Sequence, residues 1–383
     1  MNKIKVMTVF GTRPEAIKMA PLIKELESRD EIESIVCLTG QHREMLMQVL
    51  EVFDIKENYN LDIMRPGQTV TTITTDVLTG MEKVLADIKP DVLLVHGDTS
   101  TTFAGALAAF YANVRIGHVE AGLRTYDKYS PFPEEMNRQM TSRLCDMHFA
   151  PTVANRENLE KENVTENVFI TGNTVIDALS TTVREDYEFV NETLKKIDFS
   201  DAKYVLLTAH RRENLGQPLV QICNAVKQLA LENSDVKFIY PMHLNPKVRD
   251  TAISILGELE NVHLIEPVDV CDMHNLMQRC YMVMTDSGGL QEEAPALGKP
   301  VLVLRTETER PEAVTAGTVK IAGVETEDIV KLATELIRDK AAYDKQSKAV
   351  NPYGDGKASK RTVDAILYYF GKGEKPENFG DNN

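Results

Sequence analysis

"IKVMTVFGTRPEAIKMAPL", Ile4 to Leu22, joins two kinds of pattern without a gap. Ile4–Phe10 is an apolar run of strand length, and such a run, with helical sequence after it, reads as a parallel strand buried on both faces. Gly11 turns the chain. From there the apolar residues follow a helical spacing, and Pro14 suits a first helical turn because its missing N–H is not needed there. Arg13 therefore stands where a helix begins, and helix N-termini attract anions. The same four residues, Arg-Pro-Glu-Ala, return in "ERPEAV", Glu309 to Val314, with Arg310 in the matching place. The repeat raises the question of what anion two such arginines serve.

The pattern of the first twenty residues continues along the chain. Strands are predicted at Ile35–Thr39, Val92–His96, Ile116–Val119, His148–Ala150 and Val168–Thr171, with helices near 14–28, 42–53, 71–88, 100–111, 135–145 and 153–162. A second series begins with Tyr204–Ala209. It runs through Val236–Pro241, Val262–Ile265, Met282–Thr285, Val301–Leu304 and Val319–Ile321, again with helices between. Buried strands alternating with helices twice over imply an α/β chain of two doubly wound, Rossmann-like domains. The reading places the first domain at 1–175 and the second at 176–357. A helix at 358–371 follows the turn-rich "NPYGDGKAS" and returns to the first domain, and 372–383 is expected to fray.

Composition narrows the function. The chain has 383 residues, enough for two cores. Its net charge is −15 with no basic tract, which argues against nucleic acid or an anionic membrane as partner. No apolar run approaches membrane-spanning length, and Met1-Asn2-Lys3 leads straight into a strand rather than a signal peptide. Five scattered cysteines without C-x-x-C read as reduced thiols in a cytoplasm. Metal-ligand spacings, G-x-G-x-x-G and the G-x-x-x-x-G-K-[ST] loop are all missing.

Polar residues gather at the carboxyl ends of the predicted strands, where ligands bind in such sheets. In the first half these are Arg13 and Lys18, then Asp98 in "HGDTSTT", then Glu120 in "GHVEAGLRT". The loop "SPFPEEMNR" adds Glu134, Glu135 and Arg138. In the second half "TAHRREN" ends a strand with His210 and Arg211, "YPMHLNP" with His243, and "TDSGGLQEEAPALGKP" with Asp286. Ser287, Gly288 and Gly289 then open a helix whose free N–H groups suit a diphosphate, with Glu293 placed for ribose hydroxyls. Taken singly, a strand-end carboxylate is an N-cap and Ser-Gly-Gly a turn. Six clusters at strand ends are not what core residues would produce.

Read in order, "GTRPEAIKMAPL", "HGDTSTT", "GHVEAGLRT", "PFPEEMNR", "TAHRREN", "TDSGGLQEEAPALGKPVLVLR", "ERPEA" and "NPYGDGKAS" resemble the non-hydrolysing bacterial UDP-N-acetylglucosamine 2-epimerases over residues 4–370. The resemblance implies a GT-B fold, two Rossmann-like domains facing a central cleft, with UDP held mainly by the second. It implies a homodimer that interconverts UDP-GlcNAc and UDP-ManNAc through loss and return of UDP, with no metal or redox cofactor. It points to Asp98, Glu120 and Glu134 for proton transfer, with Lys18 and Arg138 steadying sugar and carboxylates. Arg13, His210, Ser287, Gly288 and Gly289 would clamp the diphosphate, Glu293 the ribose and Arg310 the sugar pocket. It further implies an activating UDP-GlcNAc site using Gln41, Glu134, Arg211 and His243. Regulated members have Gln where this chain has Glu44 and Arg where it has Gly67, so weak or absent activation is expected. A GT-B glycosyltransferase, a hydrolysing epimerase and a nucleotide-sugar sensor are the alternative readings.

Overall fold

The computed structural model describes residues 3–40, 43–65 and 67–380; for 43–45 it describes the backbone alone. The chain divides into two compact units, one of Met1–Thr181 with Tyr353–Asn383 and one of Thr182–Pro352. The first unit alternates strands β1 (Ile4–Phe10), β2 (Ile32–Leu38), β3 (Tyr59–Asn60), β4 (Val92–His96), β5 (Arg115–Val119), β6 (Met147–Ala150) and β7 (Val168–Ile170) with helices α1 (Arg13–Glu27), α2 (Arg43–Val52), α3 (Val70–Ile88), α4 (Ser100–Tyr111), α5 (Glu134–Leu144), α6 (Val153–Lys161) and α7 (Thr174–Thr182). Its strands are all parallel and lie in the order 3-2-1-4-5-6-7.

Successive side chains of β1 go to opposite faces, as a pleat requires. Ile4, Val6 and Phe10 join one core with α1 and α2, while Met7 and Val9 join the other with α3 and α4. That is why the run reads as continuously apolar.

The second unit repeats the plan with β8 (Lys203–Thr208), α8 (Gln217–Glu232), β9 (Val236–Pro241), α9 (Pro246–Leu256), β10 (Val262–Ile265), α10 (Val270–Arg279), β11 (Met282–Thr285), α11 (Leu290–Ala296), β12 (Val301–Val303), α12 (Pro311–Ala316), β13 (Val319–Ile321), α13 (Thr326–Arg338) and α14 (Lys340–Ser347). The strand order, 10-9-8-11-12-13, is that of the first sheet without its last strand. In both sheets the order reverses beside the first strand, between β1 and β4 and between β8 and β11. Those two switch points are where such sheets bind ligands.

Helix α15 (Ala358–Tyr369) packs on the first unit, where Val363, Ala365, Ile366 and Leu367 complete a core. The buried carboxylate of Asp177 caps it, accepting the N–H groups of Ala358 (3.1 Å) and Ser359 (2.8 Å). Two expectations change. The first unit runs through most of α7 rather than stopping at 175, because α7 supplies this cap. The tail is also tied down in part: Asn378 accepts from Ile170 N (3.0 Å) and Phe379 N donates to Ile170 O (2.7 Å), covering the open edge of β7. Among the described residues no helix is long and apolar enough to cross a membrane. All five cysteines are free.

Candidate active site

In the first unit, Thr12 caps α1 and Glu15 folds back in a capping box. The Glu15 carboxylate is buried, accepting from Gly11 N (3.0 Å), Thr12 N (2.8 Å) and the Thr99 hydroxyl (2.6 Å). Burial raises its pKa and these bonds oppose the rise. The glutamate of the first Arg-Pro-Glu is therefore a strut that ties the β1 turn to the start of α4. Arg13 occupies the first position of α1, and Lys18, farther along the helix, reaches Glu120.

Glu120 follows β5 with φ +62°, a left-handed conformation that few non-glycine residues take and that stores on the order of 1–3 kcal/mol of strain. Its Oε2 is held by Lys18 Nζ and by Asn173 Nδ2 at 2.9 Å. His96 Nε2 lies 3.7 Å from the same oxygen. Burial pushes the His96 pKa down to about 4, against the pull of Glu120, so the imidazole is neutral. Asp98, after β4, is gripped by Arg138, with Nε at 2.8 Å and Nη2 at 2.7 Å from Oδ2. Arg138 is buried and its Nη1 also reaches Glu135 Oε2 (3.2 Å). Burial alone would raise Glu135. The N–H groups of Thr125 and Tyr126, the Gln139 amide and Arg138 together hold it below the usual carboxylate value. Glu134 heads α5, half-buried, and makes no hydrogen bond or ion pair to any described residue.

In the second unit, Gly288 and Gly289 leave room for the side-chain ends of Arg310 and Glu293. A Cβ on Gly288 would stand 2.7 Å from Arg310 Nη1, and one on Gly289 would stand 3.0 Å from Glu293 Oε1. Arg310 begins α12 at the second Arg-Pro-Glu. Its Nε donates to Glu292 Oε1 (2.6 Å) and its backbone N–H to the Thr308 hydroxyl, which in turn donates to Gln291 Oε1 (2.6 Å). The two repeats differ: the first starts its helix at Arg13 behind a Thr12 cap and buries its glutamate, whereas the second has Arg310 at the cap position itself, clasped by Glu292 of α11. Glu293 Oε2 lies 3.4 Å from His274 Nε2. His210 follows β8 with its ring stacked on His243, centroids 5.2 Å apart and planes within 6°. Arg211 N, like His210 N, donates to Asp286.

The structure therefore brings Lys18 to Glu120, Arg138 to Asp98, Arg310 to Gly288, Glu293 to Gly289, and His243 to His210. Gln41 lies outside the described residues, and of Glu44 only the backbone in α2 is described. Gly67 is exposed, with φ +73° and open space where a side chain would go. Asn173, His96, Glu292 and His274 were not singled out from the sequence. His96, Asn173 and Glu292 fall at or just beyond a strand end or on a helix already carrying a candidate, and His274, inside α10, has no such signal. Among the described residues no group of three or more His, Cys, Asp or Glu is placed to hold a metal ion.

Two parallel Rossmann-like sheets with candidate residues at both switch points define the two-domain α/β class known as GT-B. A family model described as UDP-N-acetylglucosamine 2-epimerase matches residues 24–367, and the chain belongs to that family. The UDP-N-acetylglucosamine 2-epimerase of Bacillus subtilis is 55% identical, over 99% of this chain and 99% of that one. Among solved structures, an S. aureus MnaA–UDP co-structure is 51% identical with a TM-score of 0.90, covering 98% of this chain and 100% of that one. The UDP-GlcNAc 2-epimerase of Neisseria meningitidis bound to UDP-GlcNAc is 50% identical with a TM-score of 0.87, covering 95% and 100%.

Proposed function

We propose that this chain is an isomerase that interconverts UDP-N-acetylglucosamine and UDP-N-acetylmannosamine at C2 without releasing free sugar. The C2 hydrogen is not adjacent to a carbonyl, so its direct removal is very slow. Departure of UDP from C1 makes the ring oxocarbenium-like and acidifies that hydrogen. Its abstraction gives 2-acetamidoglucal with UDP still bound; a proton returned to the other face and UDP returned to C1 give the epimer. The chemistry needs two acid–base groups, and the observation that carries the reading is the pair Asp98 and Glu120. They follow neighbouring strands, each is held by a cation, and neither is fully exposed.

On this reading Lys18 and Arg138 hold the two carboxylates in place. Glu134, unpaired among the described residues, is the third proton-transfer candidate. The second unit takes UDP: Ser287, Gly288 and Gly289 offer close backbone approach to the diphosphate with His210 beside them, Glu293 takes the ribose and Arg310 borders the sugar pocket; Arg13 is the first unit's candidate for the diphosphate. The enzyme works in the cytoplasm as a homodimer, without metal or redox cofactor, and its product feeds cell-surface polysaccharide. Incubation in heavy water tests the route. Deuterium at C2 of the product with UDP still attached is expected; accumulation of free N-acetylmannosamine, or epimerisation without exchange, overturns it.

The activating site is read as weak. A carboxylate at Glu44 and no cation at Gly67 both disfavour a second diphosphate. Pure UDP-ManNAc should therefore give a progress curve without a lag, unchanged by traces of UDP-GlcNAc. Strict dependence on added UDP-GlcNAc would contradict this.

A further inference from the structure

Asp286, just beyond β11, is fully buried, and its two oxygens are treated unequally. Oδ2 accepts three hydrogen bonds, from His210 N (2.7 Å), Arg211 N (2.8 Å) and Asn214 Nδ2 (3.0 Å). Oδ1 has no hydrogen-bond partner among the described residues and lies 3.6 Å from Nδ1 of His210. A buried carboxylate oxygen without a donor is costly, and such groups normally have a reason for being there. The His210 imidazole stands beside it at that distance, and hydrogen bonds in active sites are often long until substrate binds.

We propose that Asp286 is a positioning residue for His210: its unsatisfied oxygen takes the Nδ1–H of the imidazole and turns Nε2 outward to the nucleotide diphosphate. This rests on the reading above that His210 meets the diphosphate. Four groups bear on the ring. Asp286 faces it from the end of β11, and His243 stacks on it from beyond β9, itself fixed by Asn245 N donating to its Nδ1 (3.1 Å). Arg211 and Glu213 belong to its own segment. Burial lowers the His210 pKa, Asp286 and Glu213 oppose that, and His243 and Arg211 add to it. The resting ring is neutral near pH 7, protonated on Nδ1. When the diphosphate arrives, its charge draws a proton from solvent on to Nε2, and Asp286 balances the imidazolium. As the C1–O bond breaks, its electron pair passes to the β-phosphate oxygen, to which Nε2–H donates. The proton stays on His210, the C2 proton goes to a carboxylate of the first unit, and in the return step a second acid group protonates C2 on the opposite face while the β-phosphate oxygen re-adds to C1.

Three measurements on the full-length protein decide it. Nitrogen-15 NMR of the free enzyme should show His210 as the Nδ1–H tautomer; an Nε2–H tautomer overturns the proposal whatever any variant does. Calorimetry of UDP binding in buffers of different ionisation enthalpy should show proton uptake, lost in His210→Asn. Asp286→Asn can still accept the backbone N–H groups through its amide oxygen while presenting NH2 to His210, which reverses the tautomer. With an unchanged melting temperature it should lose proton uptake and lower kcat about 100-fold with little change in KM. Wild-type kcat and uptake in that variant overturn the assignment. If His210→Asn is impaired and Asp286→Asn is not, the Asp286 proposal alone fails; if His210→Asn has wild-type kcat and UDP affinity, the placing of His210 at the diphosphate fails with it.

Discussion

Glu120→Gln should lower kcat for epimerisation by about 1,000-fold, the middle of the range for removing a positioned acid–base group. The amide matches the carboxylate in size and still offers an oxygen to Asn173, so the side chain keeps its place. The proton-accepting capacity is what is lost. Lys18 loses its counter-charge in a pocket where both partners are mostly buried, and leaving a charge unpaired there is unfavourable. That cost falls on stability, so the melting temperature is measured beside kcat. KM should change little, because Glu120 belongs to the unit that does not hold UDP in the proposed assignment. Asp98→Asn should fall by a similar factor, since the carboxylate clasped by Arg138 is asked for the other proton transfer. A Glu120→Gln enzyme within tenfold of wild type would remove Glu120 from the proton-transfer pair and leave Asp98 and Glu134 as the pair to test.

How far the site could be read from sequence follows from what holds each part together. Asp98, Glu120, His210 and Ser287 are visible because a strand that ends must place something at its tip, and the apolar runs mark those ends. The fold was legible for the same reason: β1 feeds two cores at once, so its seven residues carry no period of their own. Asn173 was not legible. It meets Glu120 only because β5, β6 and β7 pair side by side, and a separation of 53 positions along the chain gives no hint of that adjacency. β3 escaped notice for a different reason: two residues, Tyr59 and Asn60, paired to Cys37 and Leu38, are too short to show a pattern. The division at residues 181 and 182 was blurred because α7 continues helically across it. The cap that Asp177 gives α15 is a contact between residues more than 180 apart.

Acid should loosen the first sheet well before most of its carboxylates titrate. Three histidines sit under it, His96 on β4, His118 on β5 and His148 on β6, the last two directly paired across the ladder. All three are buried, and each has one ring nitrogen with no hydrogen-bond partner among the described residues. Burial pushes His96 down to about 4 and His118 to about 3, and lowers His148 as well. An unfolded histidine titrates near 6.5. Above that pH the rings are neutral in both states and add no pH dependence. Below it the unfolded chain takes up protons that the native protein refuses, so stability falls as the pH drops from 6.5 toward the folded values. The slope is about 1.4 kcal/mol per pH unit for each histidine. At pH 4.5, His96 and His118 together have removed roughly 5 kcal/mol, a large part of a typical domain's stability. Glu15 and Asp177, raised by burial, bind protons more readily when folded and offset part of this loss. Hydrogen exchange at the β4–β6 amides, followed from pH 7.5 to 4.5 and corrected for intrinsic rates, reports this unit alone. Protection should fall steeply below pH 6.5, and in His118→Gln the fall should be shallower by about one histidine's slope. The same fall in wild type and variant would mean that the buried imidazole at position 118 does not set the acid limit of this sheet.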